Sequence, residues 1–379
     1  MIEARDIVVI SVPFAIGIAV GASACRLLSS GLSFPASILL VTITGTAVTL
    51  AHLHRSAVFP SHNGLRLAIA GIFLTTGVFC SVSHTMASGI PEYAGNPVSQ
   101  AATRAVGSLK AVIDAVPYPS ETTGPLVKAL LTGDKSDLTK EITGIFRDSG
   151  AAHILALSGL HLGLLYLILT KLTTPLGNSP KARLLRCSLT VGAALFYSVM
   201  TGAAPSIIRA FLFITINETA KLLGRKRSPV RVLLTALTIQ LAIRPDVISS
   251  VGFQLSYTAM AGIFLLYPTL ERIYPISTGS TLSGLNPFRK IWNAAMLSIS
   301  CQVFTGPIAW IYFHTFPKYF ILTNLIALPL TSAVMTLSAA TITLSFIDAC
   351  PETLVILNDH AMQALVFCLR VISGLDESY

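Results

Sequence analysis

The chain has 379 residues, 26 of them Lys or Arg and 17 Asp or Glu, so only 11% are charged, against about 25% in an ordinary soluble domain. With 53% apolar residues and a mean hydropathy of +0.72, it lacks the charge to cover a soluble surface. This excludes a cytosolic enzyme, a disordered chain and a secreted disulfide scaffold, and points to an all-α, polytopic integral membrane protein.

A spanning helix needs about 20 mostly apolar residues. In chain order the apolar runs predict ten spans, near 7–28, 32–53, 65–86, 151–171, 184–202, 204–222, 230–247, 250–268, 290–314 and 319–347. The run at 230–247 is weak, because Arg244 and Asp246 at its outer end leave it barely long enough, and the last is long enough to break at Pro329. An amphipathic segment at 360–373 is expected to lie at the interface. The first run has no small-residue cleavage site leading into a soluble domain, so it reads as an anchor and not a signal peptide. Three regions follow: 1–86 with three spans, an extracytoplasmic helical loop at 87–150, and 151–379 with the remaining spans.

Basic residues alternate cleanly between the span ends. With the N-terminus inside, the inner side carries Arg5, Arg55, Arg66, Lys171, Lys181, Arg183, Arg186 and Lys221. It also carries Arg225, Lys226, Arg227, Arg231, Arg272, Arg289 and Lys290, while the short outer loops hold only Arg26, Arg244 and Lys318. Fifteen against three predicts a cytoplasmic N-terminus, and makes most of the net charge of +9 a topology signal. The six cysteines have no CxxC spacing; Cys25, Cys80, Cys187 and Cys301, in or beside apolar runs, read as small buried hydrophobes.

Within 87–150, Val98, Ala102, Ala105, Val106, Leu109, Val112, Ile113 and Val116 recur at helical spacing. Ser136 is the expected cap of a further helix through Phe146, which Gly150 ends. Gly133-Asp-Lys-Ser136 lacks the GxxxxGK[ST] spacing of a phosphate loop and reads as a turn, with Asp134 accepting nearby backbone donors. Nothing here alternates long enough for a barrel or sandwich. The loop is expected to be short helices lying against the outer face.

Three blocks then stand out. The first is Ala129-Leu-Leu-Thr-Gly-Asp-Lys-Ser-Asp-Leu138, followed by Phe146-Arg-Asp-Ser-Gly-Ala-Ala-His-Ile-Leu-Ala-Leu-Ser-Gly-Leu-His-Leu-Gly163. The second is Pro205-Ser-Ile-Ile-Arg-Ala210 with Gly252-Phe-Gln-Leu-Ser-Tyr257, and the third Asn324-Leu-Ile-Ala-Leu-Pro-Leu330. Together, over roughly 125–347, they resemble the transmembrane competence domain of the ComEC family, the inner-membrane channels for DNA uptake in bacterial transformation. The resemblance implies a multi-pass protein of the bacterial plasma membrane, in which 151–379 is the channel domain and single-stranded DNA the cargo. Family members often add an OB-like barrel and a metallo-β-lactamase-like domain. Residues 87–128 are too few and too helical for the barrel, and the sequence to Tyr379 holds no HxHxDH signature. Nuclease activity is therefore not carried over, and a separate nuclease, a DNA receptor and a motor are the expected partners beside the lipid bilayer. A homo-oligomer fits a channel, though no sequence feature demands one. His52-Leu-His54 with His62 lacks an acid and reads as an interfacial polar turn; no metal or cofactor is expected.

A strand crossing hydrocarbon needs polar groups and a few cations along its path. On 204–222 taken as a helix, Ser206, Arg209, Phe213, Asn217 and Lys221 share one face, and Arg209 is the one Lys or Arg within an apolar span. It reads as the phosphate contact; the competing reading is a side chain snorkelling to the outer interface. Gln254 shares a face with Ser250, Tyr257 and Thr258, and an amide in lipid must meet protein or water; interhelix bonding explains it equally well. Asn324 allows the same two readings. His153, Ser158, Gly159 and His161 form the most specific block, read as a tightly packed polar channel element, with Gly159 and Gly163 as a GxxxG pair open to another backbone. The alternative of pure helix packing stands beside it. Ala156-Leu-Ser-Gly159 also resembles the GxSG of rhomboid-like proteases, but its first glycine is absent and no base histidine follows on a later span. The leading expectation is a non-enzymatic DNA conduit without an ATP-binding motif. The alternative is a secondary transporter of a small anionic solute with Arg209 as its binding residue.

Overall fold

The computed structural model describes residues 4–27, 62–87, 97–156, 159–177, 179–225, 228–274, 287–314 and 317–375. Among these, every regular element is helical, as the apolar runs require. The expected span at 32–53, His52 and His54, Lys226 and Arg227, and Ser158 lie outside the described residues. The chain divides into two compact units, one of 1–94 with 212–257, the other of 95–211 with 258–379.

In the first unit, α1 (Ala4–Leu27) and α2 (His62–Ala87) pack along their lengths. A Cβ on Gly17 would lie 2.0 Å from the Leu74 carbonyl oxygen, and one on Gly77 would lie 2.2 Å from that of Phe14. Gly21 meets Val78 and Ser81 in the same way. Partners rise together in both numberings, so the helices run parallel. Gly17-xxx-Gly21 facing Gly77-xxx-Ser81 is the small-residue crossing by which membrane helices bring backbones together. α10 (Pro229–Ile243) packs on α1, and the Thr238 hydroxyl donates to Ser11 at 2.9 Å.

The second unit is centred on α14 (Phe320–Ser345) and α15 (Glu352–Gly374), the most extensively paired helices there. Against them pack α3 (Pro97–Ala115), α4 (Thr123–Thr132) and α5 (Lys140–Asp148). Ile113, Leu126, Leu130, Ile142 and Phe146 join Ala327, Val334, Met362 and Leu369 in one apolar core. The helix at 98–116 is present almost as its spacing predicts. Gly133, at φ 79°, ends α4 with its N–H on Ala129 O, a left-handed cap that glycine adopts without strain. The cap of α5 is Thr139, not Ser136: its hydroxyl accepts from Ile142 N–H at 3.3 Å. Ser136 is already committed, donating its N–H to Asp134 at 3.0 Å in the turn that the GDKS stretch was expected to make.

The expected span at 151–171 is divided into α6 (Ala152–Leu155) and α7 (Gly159–Leu172). After α8 (Pro180–Met200) the chain turns through Gly202 and Ala203, both at positive φ, into α9 (Pro205–Leu222). α11 (Val251–Leu265), α12 (Tyr267–Glu271) and α13 (Pro287–Phe313) complete the order; the division between units falls inside α9 and α11. In the second unit α11 and α13 nearly touch, since a Cβ on Gly262 would lie 2.3 Å from Ser300 O.

By length and composition, four described helices can cross a membrane: 159–176, 288–313, 320–345 and 352–374. The protein is a membrane protein, all-helical among the described residues, with these four helices as its candidate spans. α14 runs through Pro329 as one continuous helix. The segment expected as a short interfacial helix at 360–373 is part of the 23-residue α15, which buries one stripe from Val355 to Ile372.

Candidate functional site

Two of the blocks singled out in the sequence meet in the second unit. The tight turn at Gly202-Ala203 delivers Pro205 to the start of α9, where its fixed φ suits the first helical position. Arg209 follows one turn later, half-buried. Its Nη2 would lie 3.0 Å from a Cβ on Gly159, and the Ala210 methyl at 3.4 Å. Gly159 opens α7, so the guanidinium rests against the backbone of the LSGLH stretch in space that any larger residue would fill. The last residues of Pro205-Ser-Ile-Ile-Arg-Ala210 are thus packed on the first glycine of the signature.

This corrects the expected GxxxG role. A Cβ on Gly163 would meet no atom of the described residues within 4 Å, and Gly159 faces a side chain instead of a second backbone. His161, two residues on, is buried on α7. His153 stands apart in the preceding turn, exposed, with Nδ1 3.1 Å from Gly150 O. Ser206 is half-buried on α9 in the same unit. The other end of α7 is held by Arg186 of α8, which donates to Thr173 O at 3.1 Å and Gly177 O at 2.8 Å, satisfying carbonyls a helix end leaves open.

Three of the remaining candidates fall in the first unit and one on α14. In the first unit Asn217 returns its amide to Phe213 O at 2.8 Å, one turn back on its own helix, and Lys221 pairs with Glu218. Gln254 donates to Ile248 O at 2.9 Å, and Tyr257, buried, donates to Gln240 at 2.9 Å. The Gln254 bond returns to the turn just before its own helix, and the Tyr257 bond joins α11 to α10. Asn324 is half-buried on α14, beside Thr323 in sequence.

Two polar features escaped the sequence reading. Glu218 is buried near the end of α9. Asp359 of α15 is buried too, and accepts from Ser120 N–H at 3.2 Å and the Thr123 hydroxyl at 2.5 Å. The signal for both is an acid inside an apolar run. Outside the spans, Lys128 bridges Asp114 at 2.8 Å and Asp137 at 2.6 Å, and Lys110 pairs with Asp134. No group of histidines, cysteines and acids among the described residues has metal-site geometry.

The comparisons agree with the blocks. The family model described as "Competence protein" matches residues 130–379, more than half of the chain. The chain is 29% identical over 213 residues to ComE operon protein 3 of Bacillus subtilis (strain 168), covering 56% of this chain and 25% of that protein. It is 25% identical over 261 residues to the uncharacterized protein YcaI of Escherichia coli (strain K12), covering 67% and 33%. An uncharacterized protein of Aquifex aeolicus (strain VF5) is 31% identical over 145 residues, covering 38% of this chain. The chain spans a quarter to a third of the length of these relatives. No solved structure matches it. With the LSGLH and PSIIRA blocks packed on one another inside the matched region, the chain belongs to the competence protein family, whose ComEC members it resembles.

Proposed function

We propose that this chain is a component of the inner-membrane conduit that passes single-stranded DNA into the cytoplasm during natural transformation. The observation that carries the reading is the seat of Arg209 on Gly159, which holds a cation in the apolar first half of α9 against the family's signature stretch. A guanidinium so placed attracts each phosphate electrostatically without reading its base. The chain crosses the plasma membrane several times with its N-terminus in the cytoplasm, the orientation that fifteen inner basic residues favour. It conducts without catalysing, and a receptor, a nuclease and a motor in other polypeptides deliver, trim and pull the strand. Homo-oligomerisation is compatible with this role.

The test is transformation of the source bacterium after deletion of the gene, with complementation by wild type, Arg209→Ala or Arg209→Lys at equal membrane abundance. Rescue by wild type, partial rescue by Arg209→Lys and none by Arg209→Ala is the expected pattern. Rescue by Arg209→Ala would return Arg209 to a structural role. Normal transformation of the deletion strain would overturn the reading.

A further inference from the structure

α15 buries Val355, Met362, Leu365 and Leu369 and exposes His360 and Arg370 as a soluble helix would, but other positions depart from that pattern. Its exposed side carries Leu357 (54%), Phe367 (68%) and Val371 (51%), while Asn358 (0%) and Asp359 (6%) are buried. A helix with this distribution sits in hydrocarbon and turns its polar groups toward protein. It lies antiparallel to α14: Tyr319, before the start of α14, reaches Leu375 O past the end of α15, and Ser338 donates to Asn358 at 3.1 Å much further along.

The segment 118–150 is fastened to this pair at two levels. Near one end, Thr323 donates to Ser149 O at 2.7 Å and Arg370 pairs with Glu141 at 2.7 Å. At the other, Asp359 holds Ser120 and Thr123, Gln363 donates to Ser120 Oγ at 2.8 Å, and Asn358 approaches the Tyr118 hydroxyl at 3.4 Å. Asn358 in turn marks the level of Ser338. From Thr323 to Ser338 is fifteen residues of helix, about 22 Å at 1.5 Å per residue, most of a hydrocarbon core of about 30 Å. The segment therefore descends along the spanning pair, where a cap lying flat on the outer face would touch one level only.

Its other side is charged. Asp114 (59% exposed) and Asp137 (48%) flank Lys128, and Lys110 pairs with Asp134. An ion network this open must border water, beside a helix pair that buries its own apolar stripe. We propose that residues 117–150 form a re-entrant wedge entered from the outer side, with the tip Tyr118–Thr123 clasped by Asp359 and Gln363, and with the Lys110–Asp137 face lining an aqueous vestibule. The outer-side entry rests on the orientation proposed above; the wedge itself rests on the two levels of attachment.

Single cysteines at Glu121, exposed at the tip, and at Ser136, exposed in the GDKS turn, test this in the full chain with its six native cysteines replaced. Right-side-out and inverted vesicles receive a bulky impermeant maleimide or a small charged methanethiosulfonate. The expected result is that Ser136→Cys reacts readily from outside with both reagents. Glu121→Cys should react from outside with the small reagent, and about tenfold more slowly with the bulky one, as for a site reached through a narrow aqueous path. Asp359→Ala should raise the bulky-reagent rate at Glu121→Cys and leave Ser136→Cys unchanged. Equal rates at both positions with both reagents would overturn the wedge in favour of an outer cap. Silence of Glu121→Cys toward water-soluble reagents, or reaction from the cytoplasmic side alone, would overturn the vestibule. Transformation is not part of the readout, so the wedge can fail while the conduit stands, and the reverse.

Discussion

Gly159 is where the seat of Arg209 can be tested by adding atoms instead of removing them. A methyl at Gly159 would lie 3.0 Å from Nη2 and 3.4 Å from the Ala210 methyl. Ordinary contact is about 3.5–4.0 Å, so Gly159→Ala asks a flexible guanidinium to withdraw by about 0.5 Å. Gly159→Leu places three further carbons where the guanidinium now sits and displaces it, an overpacking cost of about 1–3 kcal/mol. Removing the guanidinium makes the room that leucine needs. In a cycle of Gly159→Leu and Arg209→Ala, the double variant should be more stable than the sum of the singles by about 1 kcal/mol. In detergent-solubilised full chain that is an apparent Tm recovery of about 2 °C. Transformation should be near wild type for Gly159→Ala, and equally low for Gly159→Leu, Arg209→Ala and the pair. Additive melting shifts, or normal transformation by Gly159→Leu, would refute the contact.

The α1–α2 crossing predicts a contrast among glycines: Gly17→Ala and Gly77→Ala should each destabilise by about 1–3 kcal/mol in thermal melts. Gly107→Ala on α3, where a Cβ meets nothing within 4 Å, should stabilise by about 0.5–1 kcal/mol. Thr323→Val, which leaves the buried Ser149 carbonyl without its hydroxyl donor, should cost about 1–3 kcal/mol, and Thr323→Ser should recover most of it. Hydrogen bonds from Lys110 and Lys128 hold the Asp134 and Asp137 carboxyls below the usual carboxylate range, and the bond to Asp114 raises Lys128. Stability from the carboxylates is present above their ordinary range and lost as pH falls through the lowered values. That from Lys128 is present below the ordinary lysine range and lost as pH rises through the raised value. The thermal midpoint should therefore be flat between about pH 5 and 9 and fall at both extremes, with Asp134→Asn reducing the acid-side fall; an unchanged acid limb would remove the network from the account.

Elements whose evidence is local were legible in the sequence. Eleven percent charge suffices for a membrane protein, and the 3.6-residue recurrence at 98–116 gives α3 almost to its ends. The GDKS turn was legible because Asp134 reaches only two residues along the chain. That commitment of Ser136 is also why the cap of α5 passed to Thr139, a competition between two adjacent motifs. What stayed hidden depends on distant partners. Gly17 and Gly77 are unremarked glycines in apolar runs until each is laid against a helix about sixty residues away. Asp359 lowers the hydropathy of its run and so shortened the expected helix to 360–373. Its burial is made tolerable by Ser120 and Thr123, well over two hundred residues earlier. The seat of Arg209 had the opposite history: the sequence marked both blocks, and only folding put one on the other.

The first unit is discontinuous in sequence, and this bears on how the protein is made. Ser11 receives its hydrogen bond from Thr238, 227 residues later, and residues 95–211, the first part of the other unit, are synthesised between the two. During translation α1 and α2 can dock through their glycines as soon as both are made, but Ser11 awaits Thr238 of α10. The intervening segment is made while that unit is incomplete. A ribosome stalled before residue 229 should leave α1 and α2 inserted yet sensitive to membrane proteases, and release past 257 should make them resistant. The order of manufacture thus keeps the N-terminal helices waiting for more than two hundred residues before their own unit is complete.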